Sequence, residues 1–238
     1  MREKKMDVAI VIPSAGGEST LRRCVESIIR NTKTPYKIFI VDQGELGCSS
    51  YCCFLEKKYS NIFIHYNSKN EPGSKGYNRG IKSAYIKSNF THLCFLDDDI
   101  LVLKPGWLST LVDGMDTDPG VGIIGYEMCS TIPPNLGGYV LEFMSCCMLC
   151  SRELIDTIGL MDESLLWHCN DSDYCRRAWQ NDFKVKVLYA NDNKDMSNDF
   201  LYHSHQVGTK RCEGEKLLRE KTYKVFEKKW NNVIIEAL

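Results

Sequence analysis

No run in this chain of 238 residues approaches the ~20 consecutive apolar positions of a membrane-crossing helix. The opening Met1-Arg-Glu-Lys-Lys5 is followed by only about six apolar positions before Pro13, too few for the apolar core of a secretory leader. An excess of charge of one sign is also missing. Thirty Lys and Arg stand against 31 Asp and Glu, a net charge of −1, which supplies no general field for nucleic acid or an anionic membrane. There is no internal repeat and no low-complexity tract. The loop Pro13-Ser-Ala-Gly-Gly17 carries no G-x-G-x-x-G and no Lys or Arg before Arg22, which argues against a dinucleotide oxidoreductase and a nucleotidyltransferase. These absences predict a soluble, cytoplasmic protein with one substantial core, for which 43% hydrophobic and 26% charged residues are ordinary values.

Among what is present, Phe95-Leu-Asp97-Asp98-Asp99-Ile100 is the most informative stretch, because three carboxylates follow directly on the apolar run His92-Leu-Cys-Phe-Leu96. Like charges side by side at a buried strand end are costly without a cation. Asp97 and Asp99 alternate onto one side of an extended chain, so both can face a hard divalent ion or the ribose and phosphates of a nucleotide. A solvated acidic turn is the competing reading. Two further apolar runs, Asp7–Ile12 and Lys37–Val41, also end in polar, glycine-containing turns. Strands with such ends place their carboxyl termini on one sheet edge, where open α/β sheets bind ligands.

Apolar runs and helical periods alternate along the first half. Leu21, Val25, Ile28 and Ile29 mark a helical face, and helices follow near 50–59 and 77–87, with a strand at Ile62–Tyr66. This βαβαβαβ order predicts an α/β fold with a mixed, mostly parallel sheet and helices on both faces. Beyond Lys104 the pattern predicts a short helix over 107–115, strands at 121–125, 143–150, 185–189 and 200–205, a helix from Arg152 and another over 171–181. The Pro/Gly-rich stretch Ile132–Gly138 reads as a loop.

Twelve cysteines cluster around 48–53 and 146–150. Cys147-Met-Leu-Cys150 has C-x-x-C spacing but sits in an apolar run, and a zinc site needs a second matched pair that the sequence does not clearly offer, so the cysteines read as reduced, buried thiols. From Lys210 to Lys229 eight basic and four acidic side chains are interspersed with Leu217, Leu218, Tyr223, Val225 and Phe226. That pattern predicts a terminal helix packed on the body, with peripheral membrane contact through 210–230 as the alternative.

The ordered set Ile12-Pro13-Ser14, Val41-Asp42, Asn70 with Asn78-Arg-Gly-Ile81, Leu96-Asp-Asp-Asp99, Gly106-Trp-Leu108, Val121-Gly-Ile-Ile-Gly125, Gly159-Leu-Met-Asp-Glu163, Asp171-Ser-Asp173 with Arg177-Ala178, and a late His with Thr209 resembles the family 2 glycosyltransferases. These use nucleotide sugars and have the fold known as GT-A. The resemblance runs from Val8 to about Thr209 and implies one domain with two lobes: a nucleotide-sugar lobe over 1–105, an acceptor and catalytic lobe over 106–209, and a C-terminal helix over 210–238.

Carried over by position, the resemblance implies that Pro13, Ser14 and Ala15 wall the nucleobase and Asp42 hydrogen-bonds it. A turn around Lys75, Asn78 and Gly80 would cover ribose or diphosphate. Asp97 with Asp98 would hold ribose or sugar, and Asp99, the last carboxylate of a DXD motif, would ligate Mn2+ or Mg2+ together with His205 or His203, of which His205 has the better spacing to Thr209. Asp171 would be the catalytic base, and Trp167 and His168 an acceptor platform. The implied activity is hexosyl transfer from a nucleoside-diphosphate sugar to a glycan, lipid-linked or other hydroxyl acceptor; nothing points to a nucleic acid. A metal-neutralised diphosphate and an opposed base make a direct, inverting displacement. Asn170 stands where an acidic residue commonly precedes the base, and Pro72 where a glycine is usual. The first of these departures keeps open a module that binds nucleotide sugar or glycan without turnover.

Overall fold

A computed structural model describes residues 7–15, 17–44, 48–71, 73–126, 138–143, 146–166, 168–188, 199–204, 215–231 and 233. Its first half alternates strands β1 (Val8–Ser14), β2 (Tyr36–Asp42), β3 (Ile62–Tyr66) and β4 (His92–Leu96) with helices α1 (Glu18–Asn31), α2 (Ser49–Lys58) and α3 (Ser74–Lys87). The second half adds β5 (Ile100–Val102), α4 (Trp107–Asp116), β6 (Val121–Tyr126), β7 (Cys147–Ser151), α5 (Arg152–Ile158), α6 (Asn170–Trp179), β8 (Lys184–Leu188), β9 (Leu201–His203) and α7 (Glu215–Trp230).

The main sheet has seven strands in the order β3-β2-β1-β4-β7-β6-β8. β7 pairs antiparallel with both neighbours and every other pairing is parallel, as the mostly parallel expectation required. The strands are apolar without alternation because both faces are covered. Val8, Ile10 and Ile12 face one core with Leu21, Cys24, Val25 and Ile28 of α1, Tyr51 and Leu55 of α2 and Trp107 to Met115 of α4. Ala9 and Val11 face a second core with Ile81 and Ala84 of α3, Leu154 of α5 and Tyr174 and Ala178 of α6.

Two local features differ from the sequence expectation. The strand expected over 143–150 begins at Cys147, and the strand expected over 200–205 is Leu201–His203, which pairs with β5 in a separate two-stranded sheet. α3 lies unusually close to β1 because Gly80 has no side chain: a Cβ there would sit 2.2 Å from Cγ1 of Val11. Among the described residues no helix is long and apolar enough to cross a membrane.

α7 packs on α6 along a narrow stripe. Thr222 and Trp230 are buried, Arg176 lies over the rings of Phe226 and Trp230, and Trp230 Nε1 donates to Asp173 Oδ1 at 3.0 Å. Lys229 Nζ lies 2.7 Å from the same oxygen and 2.8 Å from Asp162 Oδ2. This is the docked arrangement expected of the terminal helix.

Candidate active site

The chain crosses from β1 outward to β2 and β3, then returns to β4 on the other side of β1. The crevice between the carboxyl ends of β1 and β4 is therefore the point where strand order reverses, the usual ligand position in such sheets. Ser14 ends β1 and Asp97-Asp98-Asp99 follows β4, and Ser14 Oγ donates to Asp98 Oδ2 across the crevice at 2.6 Å.

The triplet is not extended. Ile100 N donates to Asp97 O at 3.3 Å, closing a β-turn before β5 begins. The expectation that Asp97 and Asp99 share one side of a strand is corrected accordingly, and the turn fans the carboxylates out. Asp97 Oδ1 accepts from the Tyr77 hydroxyl at 2.5 Å, Asp98 from Ser14, and Asp99 Oδ2 lies 3.0 Å from His203 Nε2. Ser204 donates to the Asp99 carbonyl from both its backbone N, at 3.0 Å, and its hydroxyl, at 2.8 Å, so β9 is tied to the turn.

The cluster is electrostatically loaded. Burial pushes the Asp97 carboxyl up to about 7; Tyr77's hydrogen bond and His203 oppose the rise, while the charges of Asp99 and Asp98 add to it. Burial and the nearby Asp97 push the Tyr77 hydroxyl well up, keeping it a donor. Burial alone would depress His203, but its bond to Asp99 and the charges of Asp99 and Asp97 outweigh this and raise it. A divalent cation fits this chemistry. Asp99 is 7% exposed and offers a carboxylate oxygen beside an imidazole nitrogen, and a 3.0 Å separation is what neighbouring ligands about 2.1 Å from an octahedral ion adopt.

Asp42, at the end of β2, pairs in register with Ser14. It is 1% exposed, and its oxygens accept from Gly44 N at 3.0 Å, Cys48 Sγ at 3.0 Å and Ser49 Oγ at 2.7 Å. Burial would raise this carboxyl; the three hydrogen bonds outweigh it and hold it below the ordinary range. Pro13 and Ala15 flank Ser14 and are half-buried. Gly76 brings α3 against this edge, since a Cβ there would meet Gln43 Nε2 at 2.5 Å and Pro13 Cβ at 3.1 Å.

Lys75, Asn78 and Gly80 lie in α3 and not in a turn. Lys75 is half-buried in the first helical turn. Asn78 is buried and clamps the segment after α5: its Nδ2 donates to Met161 O at 2.9 Å and Glu163 Oε1 at 3.1 Å, and Met161 N donates to its Oδ1 at 3.0 Å. Its amide is thereby engaged within the protein.

Asp171 is the second residue of α6. The cap position belongs to Cys169, at φ 62, so Asp171 is not the N-cap; its carboxylate lies within the first turn, where the helix dipole favours the ionised form. Tyr174, one turn on, packs edge-on against Phe95 at 5.9 Å, and Phe95 against Tyr77 at 5.2 Å, so an aromatic row links α6, β4 and α3 beneath the acidic turn. His168 stacks on Tyr223 of α7 at 6.3 Å. Trp167 and His205 lie outside the described residues.

Tyr77 and His203 meet the acidic turn; sequence reasoning passed over Tyr77 and ranked His203 after His205. Tyr77 stands four before Ile81 and seven before Ala84, the spacing of one sheet-facing helical stripe, and a hydroxyl on such a stripe just before Asn78 was an available signal.

A family model described as glycosyl transferase family 2 matches residues 9–158. Uncharacterized protein y4gI of Sinorhizobium fredii is 23% identical over 205 residues, covering 72% of this chain and 22% of that protein. Among solved structures, S. aureus TarS superposes with a TM-score of 0.66 at 14% identity, covering 98% of this chain and 41% of its own. The mannosyltransferase PcManGT from Pyrobaculum calidifontis, solved with GDP-Man and Mn2+, gives 0.62 at 14% identity, over 79% of this chain and 58% of its own. GalNAc-T7, solved with UDP, GalNAc and Mn2+, gives 0.62 at 16% identity, over 77% of this chain and 41% of its own. The chain thus spans about a fifth of the length of y4gI and between 41% and 58% of the solved chains. At these identities the structural likeness establishes the shared fold.

Proposed function

Because the chain belongs to glycosyl transferase family 2, we propose that it moves a sugar from a nucleoside-diphosphate sugar to an acceptor hydroxyl by direct displacement, with inversion at the anomeric carbon. The observation that carries this reading is the acidic turn at the strand-order reversal, where Asp97, Asp98 and Asp99 meet Tyr77, Ser14 and His203. Hexosyl transfer is the expected subtype, and the acceptor is a glycan, lipid-linked or other hydroxyl.

Asp99 and His203 would hold Mn2+ or Mg2+, with His205 as the alternative histidine; solved structures of the same fold carry Mn2+. The cation would neutralise the departing diphosphate. Asp97, oriented by Tyr77, would take ribose or sugar hydroxyls, and Asp98 with Ser14 would close the crevice wall beneath the donor. Pro13, Ala15 and Asp42 would frame the nucleobase, and Lys75 would face the phosphates from α3. Asp171, in the first turn of α6, would accept the acceptor's hydroxyl proton.

Asp171→Asn tests this reading. The amide keeps the size and removes the base, so transfer should fall about 10²-fold or more while donor affinity stays within twofold of wild type. Full activity in the variant would remove Asp171 from the mechanism. Wild-type protein that binds donors yet neither transfers nor hydrolyses them would favour the binding-module reading, for which Asn170 speaks.

A further inference from the structure

The end of β2 and the first turn of α2 bring three metal-ligating side chains together outside the Asp97–Asp99 turn. One oxygen of Asp42 and the sulfurs of Cys48 and Cys52 all lie within 4.8 Å of one another, and the three residues are 1%, 2% and 0% exposed. The two cysteines are four apart, which puts them on one helical face, and Cys52 N donates to Cys48 O at 2.9 Å, fixing that geometry.

Two observations separate this cluster from ordinary buried thiols. Asp42 is a buried carboxylate with no cation paired to it among the described residues; its donors are a backbone N–H, a thiol and a hydroxyl. Buried charges are usually paired or coordinate metals. In addition, Cys48 is the N-cap of the ten-residue α2 and Cys52 lies one turn in, so the start of one helix holds both sulfurs within 4.8 Å of the Asp42 carboxylate.

We propose that Asp42, Cys48 and Cys52 form a zinc site, separate from the cation position at Asp99. Two thiolates and a carboxylate suit borderline-soft Zn2+ better than hard Mg2+ or Mn2+. A tetrahedral zinc with bonds of about 2.0–2.3 Å sets its ligand atoms roughly 3.5–3.8 Å apart, which these three atoms reach by shifts of about 1 Å. On binding, each thiol releases its proton to solvent as its Zn–S bond forms. Asp42 exchanges the hydrogen bond from Cys48 for a Zn–O bond, and a fourth position is left for water. Because binding releases thiol protons, this exchange strengthens as pH rises. Zinc would also withdraw the carboxylate that the proposed function gives to the nucleobase, so the two ligands would compete.

The test is metal binding by the reduced, metal-free full chain, which needs no donor or acceptor and so reads independently of transferase activity. Titration with Co2+ as a spectroscopic stand-in should give one equivalent with a thiolate-to-cobalt charge-transfer band and release of about two protons, and Zn2+ should displace the band with no further proton release. Cys48→Ser and Cys52→Ser should each weaken zinc binding by at least about 10-fold, and Cys53→Ser, on the exposed neighbour, should leave it unchanged. X-ray absorption of the zinc-loaded wild type should show two sulfurs at about 2.3 Å, a readout that does not depend on any variant folding. No thiolate band at one equivalent, a band that survives both serine variants, or a zinc shell without sulfur would overturn the proposal.

Discussion

At the scale of single residues, the acidic turn divides its work by direction. Asp97 is aimed at Tyr77, Asp98 at Ser14 and Asp99 at His203, so three adjacent carboxylates meet three different partners. The Asp99–His203 pair predicts that His203→Ala weakens Mn2+-dependent donor binding, by about 10-fold or more, and that His205→Ala has the smaller effect. Calorimetric titration of the donor with and without Mn2+ checks this, and the reverse ranking would return the metal to His205. The position of the three carboxylates at the end of a buried strand was legible from the apolar run that precedes them. Their fan was not legible, since it depends on a turn that Ile100 closes by hydrogen bonding back to Asp97. The place of His203 was equally hidden: it falls on the same side of an extended chain as His205, and the pairing of Ile100 with His203 is what brings His203 to Asp99.

At the scale of elements, apolar stripes and runs located each helix and main-sheet strand among the described residues, because each is long enough to show its pattern. β5 escaped this reading: three residues directly after three aspartates give no period, and the strand exists only through its pairing with β9. Asn78 is a second case, since its place in a motif suggested a ligand while its amide clamps Met161 and Glu163 more than 80 positions away in sequence. The docking of α7 was correctly expected, but its anchor comes from tertiary structure. Trp230 donates to the fully buried Asp173, which Arg177 also contacts at 3.0 Å, and Asp173 sits on the same helix turn as Asp171. Trp230→Ala should therefore destabilise the protein by about 3–5 kcal/mol in urea unfolding, from lost burial and a buried carboxylate deprived of one donor. A change below about 1 kcal/mol would mean that α7 contributes little to the folded body.

At the scale of the whole molecule, one main sheet with a core on each face carries the acidic turn where its strand order reverses, and α7 is fastened to the body by charge. Asp162 reports on that fastening. Burial would raise its carboxyl, but hydrogen bonds from Lys229 and Ser164 outweigh this and hold it at about 2. A depressed carboxyl stabilises the fold above its ordinary value near 4, and that contribution is lost as pH falls from about 4 towards 2. Thermal unfolding should thus show an acid-side loss on the order of 1–2 kcal/mol that is absent in Asp162→Asn. An identical acid profile in the two proteins would contradict it.

The central claim is a donor site built on the acidic turn and completed by a divalent cation. Thermal shift with UDP-, GDP-, dTDP- and CMP-sugars, each with and without Mn2+, tests it most directly, because stabilisation grows with the logarithm of occupancy and registers even weak donors. The account predicts that at least one nucleoside-diphosphate sugar stabilises the wild type only when Mn2+ is present, and that Asp99→Ala abolishes this shift. Equal stabilisation in Mn2+ and in EDTA, or a shift that survives Asp99→Ala, would contradict it.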